Sequence, residues 1–157
     1  MKYKLLRSLA CLAQVAILSS IATVSFATEP SDYTVADGIG IYYAVLPAEI
    51  IRGHPKGHPE AAMHGGIPSG KHVHHVMIAL FEGESLDRIT DAEVKATVWE
   101  IGLSGETKNL ESFTIAGALT YGNYFEMPSQ TIYRIKVEVR RPGSPKTVET
   151  IFEYDHH

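Results

Sequence analysis

Apolar side chains recur at every second position through most of this chain, and a period of two calls for strands. In Tyr133–Val139 (YRIKVEV), Ile135, Val137 and Val139 fall on one face, with Arg134, Lys136 and Glu138 on the other. Val94–Ile101 alternates in the same way, with Val94, Ala96 and Val98 together. Ile39–Leu46, ended by Pro47, and Val73–Phe81, Leu110–Ile115, Tyr121–Met127 and Val148–Tyr154 complete the set. Turn residues separate them: Glu82-Gly83, Ser104-Gly105, Pro128-Ser129 and Pro142-Gly143-Ser144-Pro145. About seven short strands at this spacing predict an all-β, antiparallel sandwich. No stretch has the pattern of a long amphipathic helix; Ser85–Lys95 has room for one helical turn.

Residues 1–27 stand apart from that pattern. Lys2, Lys4 and Arg7 precede an apolar run from Leu9 to Ile21, and Ser25-Phe26-Ala27 supplies small residues for cleavage. This is the layout of a secretory signal peptide cut after Ala27, and the run is short for the ~20 residues of a membrane span. Removing 27 of the 157 residues leaves a mature domain of 130, residues 28–157. The leader takes three of the 14 Lys+Arg and none of the 18 Asp+Glu, so the mature charge is −7. Such a surface is a poor match for nucleic acid. Cys11, the one cysteine, also leaves with the leader. The mature chain therefore has no disulfide, no thiolate metal site and no cysteine nucleophile.

The connection between the first two predicted strands, residues 47–72, is long for a compact domain, where loops beyond ~12–15 residues are usually functional or disordered. The 24 residues from Arg52 to His75 (RGHPKGHPEAAMHGGIPSGKHVHH) carry six of the eight histidines, with Met63 among them and Met77 just beyond. Histidine-rich tracts of this kind bind metals; a linker would be built from Ser, Glu and Lys.

Spacing separates the histidines. His54 and His58 each precede a proline, which favours extended backbone, and four residues of polyproline II advance roughly 12 Å. They share an ion only if Gly57 makes a turn, and otherwise form a weak site or a plain exposed loop. On the incoming strand, His72 and His74 share one side and His75 and Met77 the other, because side chains alternate. Val76, Ile78 and Leu80 have the parity of His74, which allows His74 to be a core histidine. Met77 is open to a reading as core filler. His75 and Met77 nevertheless present an imidazole and a thioether about 6–7 Å apart along the strand. The expected ligands are therefore His75, Met77, His74, His72, His64 and Met63. A second strand supplies Met127, which is equally suited to packing at a strand end, and His156 and His157 are further candidates. Asp155 beside His156 is a possible orienting carboxylate.

Histidine with methionine and without cysteine favours copper, Met stabilising Cu(I); three histidines alone would suit zinc. Ligation by neutral imidazole weakens as pH falls through ~6.5. Enzyme signatures are absent. Gly65–Lys71 matches G-x-x-x-x-G-K, but His72 replaces the Ser/Thr and a strand, not a helix, follows. Gly102-Leu103-Ser104-Gly105 is one residue short of a nucleophile elbow.

Asp91-Ala92-Glu93-Val94, Tyr121–Pro128 (YGNYFEMP) and Tyr133–Val139 together resemble the "D-A-x-V" and "Y…MP…Y-x-I-x-V" elements of small exported immunoglobulin-like domains of the YtkA-like kind. The resemblance spans residues 74–140 and leaves the His-rich loop outside. It implies an immunoglobulin-like sandwich and an association with periplasmic metal handling. The expectation is an exported, non-enzymatic protein that binds a transition metal as chaperone, buffer or delivery protein. Its partner would be an envelope metal transporter or acceptor. The alternative is an immunoglobulin-like module that docks an envelope or membrane partner without metal.

Overall fold

A computed structural model of the chain describes residues 32–52, 66–83 and 85–157. The predicted leader, and His54, His58, Met63 and His64 of the long connection, lie outside the described residues.

Eight antiparallel strands make up the molecule: β1 (Tyr33–Ala36), β2 (Ile39–Pro47), β3 (Val73–Glu82), β4 (Glu93–Glu100), β5 (Glu106–Ile115), β6 (Ala118–Glu126), β7 (Ile132–Arg140) and β8 (Thr147–Asp155). The seven predicted strands all appear, most with ends moved by one residue; β5 begins four residues earlier and β6 three. The eighth is β1, joined to β2 through Asp37-Gly38. Both turn residues have positive φ, 48° and 78°, the conformation of the tight hairpin turn that an Asp-Gly pair favours. Ala116-Gly117 makes the corresponding turn from β5 to β6, with φ of 49° and 82°. Ser85–Lys95 holds no helix. A five-residue helix, α1 (Ala48–Arg52), follows β2 instead, its first turn carrying Glu49.

The strands run in the order β1-β2-β3-β6-β5-β4-β7-β8. β5 belongs to both layers. Up to Leu110 it pairs with β4, and from Glu111 onward with β6. The sheet thus bends over at β5 and its two halves face each other. On the far side Tyr43 of β2 closes the gap, its hydroxyl donating to the Glu153 carbonyl of β8 at 2.8 Å and its ring lying 4.4 Å from that of Phe152.

Strand alternation decides what fills the interior. From one layer come Ile41, Val76, Ile78, Leu80 and Phe125; from the other Val94, Ala96, Ile135, Val137, Val139 and Phe152. These are the faces predicted for β3, β4 and β7. A smaller cluster lies outside the first layer, where Ala48 and Ile51 of α1 pack on Val73 and Tyr124, with Ile67 alongside. β3 is therefore buried on both faces, which explains its near-continuous apolar sequence.

Candidate metal centre

The start of β3, the end of β6 and the end of β8 meet at one end of the sandwich. His74 enters from β3 with the parity of the core and is almost fully buried. His156 follows β8, its backbone N–H bonded to the Thr131 carbonyl at 3.1 Å. Phe152, Tyr154 and His156 share a parity, so this imidazole is directed inward from the opposite layer, and it is half-buried. The two rings meet edge to face with centroids 4.6 Å apart. Tyr133 and Tyr154 flank His156, each ring 6.1 Å away.

The hydrogen bonds of the two imidazoles fix their tautomers. His74 Nδ1 lies 3.0 Å from the His72 carbonyl, and His156 Nδ1 lies 2.9 Å from the Ser129 carbonyl. A carbonyl only accepts, so in each ring Nδ1 carries the hydrogen. In the neutral form of such a ring Nε2 keeps its lone pair. A backbone carbonyl on the far nitrogen is also the usual support of a histidine that ligates a metal, because it orients the ring and raises its basicity. Burial lowers the His74 pKa below the ordinary imidazole value; the His72 carbonyl works against that and the neighbouring His156 with it. His74 is accordingly neutral at pH 7, the form a metal requires.

Met127, one residue past the end of β6, is fully buried in the core cluster. Its backbone N–H donates to the same His72 carbonyl, at 2.8 Å. The register His74↔Phe125 puts Phe125 on the face of His74, and Met127, two residues on, keeps that face. Among the described residues no three His, Cys, Asp or Glu side chains gather in one place. A metal at this end would have two imidazoles and a thioether to choose from.

The other candidates are dispersed. His72 has the parity of His74, but its side chain is exposed and its carbonyl is the part in use. His75 is fully buried on the opposite face of β3, stacked on Tyr124 at 4.6 Å and 5.4 Å from Phe113, with Gly122 beneath it. Met77 shares that outer face and lines an open groove with Tyr42, Ala44, Ala79, Ile115 and Ala118. The parity that separates His75 and Met77 from His74 is the one read from the sequence. Asp155 does not orient His156: adjacent strand residues point to opposite sides, and Asp155 lies 3.5 Å from His157 Nδ1 instead. The carbonyls of His72 and Ser129 take the orienting role, and sequence carries no signal for a particular carbonyl.

No family model matches the chain, and no curated protein matches it in sequence. In structure it is similar to FetP of uropathogenic Escherichia coli strain F11. A copper-bound variant of FetP aligns with a TM-score of 0.59 at 12% identity, over 81% of this chain and 95% of that one. FetP as isolated after expression in the periplasm of E. coli aligns with the same score and identity, over 80% and 93%. A DUF4426 family protein of Pseudomonas aeruginosa PAO1 gives 0.52 at 14% identity, over 81% and 99%. At such identities the likeness is one of fold. It agrees with the small β-domain that the sequence resembles.

Proposed function

We propose that this chain is an exported protein that binds a transition-metal ion as cargo, copper before zinc, and holds or delivers it without catalysing a reaction. One observation carries the reading: His74 and His156 come from opposite layers, their rings 4.6 Å apart, each with Nδ1 on a carbonyl and Nε2 left as the ligand atom. A carbonyl on Nδ1 is the support that ligating histidines usually have, and here both rings have it. The leader pattern of residues 1–27 supports export. The copper bound to FetP, a protein of similar fold, supports the choice of metal.

The test is metal stoichiometry by competition titration at neutral pH on the mature protein. Saturable binding of one ion, weakened at least ~10-fold (about 1.4 kcal/mol) by His74→Ala and by His156→Ala, is the expected result. Absence of saturable binding of both copper and zinc would remove the reading. The partner-binding alternative would then lead, on the strength of the groove on the outer face of β2 and β3, about 420 Å³ and lined in part by Tyr42, Met77, Ile115 and three alanines.

A further inference from the structure

The segment Met127-Pro128-Ser129 is tied to the supports of both histidines, to the His72 carbonyl that orients His74 and, through its own Ser129 carbonyl, to His156. At one end, Met127 N–H and His74 Nδ1–H converge on the same oxygen, the His72 carbonyl, at 2.8 and 3.0 Å. At the other, the Ser129 carbonyl takes His156 Nδ1–H at 2.9 Å. Ser129 is itself fixed, its N–H donating to the Tyr133 hydroxyl at 3.0 Å. The backbone that carries Met127 is thus held by the groups that hold the two rings. Its side chain is fully buried on the face of His74.

The charges available matter as much as the donors. Two imidazoles and a thioether are all neutral, and no three His, Cys, Asp or Glu groups converge among the described residues. A divalent ion held by these three groups alone keeps its whole charge uncompensated, and beside the buried His74 and Met127 it meets a desolvation cost. A monovalent ion meets much less. Thioether sulfur is also a soft ligand, suited to Cu(I) and poorly suited to zinc.

From these observations we propose that Met127 is the third ligand, its thioether sulfur joining the Nε2 atoms of His74 and His156, and that the site consequently selects Cu(I) over divalent ions. This rests on the metal-binding reading of the histidine pair and adds the ligand that decides which ion is held. Met127 is then a specificity determinant, and the buried methionine is more than core filling.

Met127→Leu nearly conserves volume and removes the sulfur. Mature wild type and variant are titrated anaerobically with Cu(I) against a chromophoric Cu(I) chelator, and separately with Zn(II) against a zinc indicator. Met127→Leu should lower Cu(I) affinity ~10-fold or more and leave Zn(II) affinity within about 3-fold, with K read directly from each competition. X-ray absorption of the Cu(I)-loaded wild type should show a sulfur scatterer that persists in Met77→Leu and in Met63→Leu. If Met127→Leu does not fold, that spectrum decides: nitrogen-only scattering overturns the proposal. Equal loss of Cu(I) and Zn(II) affinity also overturns it, since the side chain would then act by packing alone. Unchanged Cu(I) affinity in Met127→Leu, with binding still lost in His74→Ala, removes the third ligand and leaves the histidine reading standing. Binding unaffected by His74→Ala and His156→Ala removes both.

Discussion

Gly122→Ala should destabilise the protein although it adds a single methyl group. A Cβ at Gly122 would lie 2.6 Å from His75 Nε2, 2.9 Å from Phe113 Cε1 and 3.1 Å from the Val76 carbonyl oxygen. The first two are closer than side-chain carbons come to such atoms, and the third belongs to backbone. His75 cannot swing aside, being fully buried with Tyr124 stacked on it at 4.6 Å. Overpacking of this kind costs ~1–3 kcal/mol. Replacing glycine returns ~0.4–1 kcal/mol by restricting the unfolded chain. The net expectation is a loss of about 1–2 kcal/mol, or a melting temperature lower by roughly 3–10 °C for a domain of this size. Urea unfolding followed by Trp99 fluorescence and far-UV circular dichroism would measure it. The combination with His75→Ala supplies the internal check. His75→Ala alone leaves a cavity, but beside Ala at position 122 the clash is gone, so the double variant should be more stable than the sum of the singles by ~1 kcal/mol or more. A Gly122→Ala protein as stable as wild type would refute the close packing of His75 against Gly122 and Phe113 on the outer face of β3.

His156→Ala should weaken metal binding at least ~10-fold while His157→Ala leaves it within about 2-fold, because only His156 faces His74; the competition titration reads both, and equal effects would contradict the parity argument. The third concerns alkali. Burial is the largest cause raising the pKa values of Tyr43, Tyr121 and Tyr154 above 10.0. An acid whose folded pKa is raised contributes stability in full below its unfolded value and loses it as pH climbs through the folded one. Denaturation midpoints should therefore hold up to pH ~10 and fall steeply above it, and Tyr43→Phe should shrink the fall. The same substitution should cost ~1–2 kcal/mol near neutrality, because it leaves the Glu153 carbonyl without the Tyr43 hydroxyl.

Strand content was legible because the signal is local. Ile135, Val137 and Val139 alternate with charges, and burial follows them residue by residue. β1 was hidden by its brevity, four residues against nine in β2, although Asp37-Gly38 is a hairpin signal that could have exposed it. The site was legible in pieces. His74, Met127 and His156 could each be named from chemistry, and β3 parity set His74 apart from His75. Their meeting depends on β3 and β8 facing each other across the interior, and strand order is a tertiary fact that no period of two encodes. The orienting atoms are two carbonyls, identical in the sequence to every other.

Because β5 serves both layers, the sheet is one ribbon doubled over, with a continuous hydrogen-bonded spine on one side. The opposite margin, where β1 and β2 approach β8, is joined by side chains such as Tyr43. A body joined in this way is expected to open at the margin before the spine, as the pages of a book part at the fore-edge. His74 and His156 sit on different pages. Were an ion held between them, any excursion that parts them would widen its bite, so its retention would follow the same soft coordinate as the fold's own opening. Such an ion would act as the clasp.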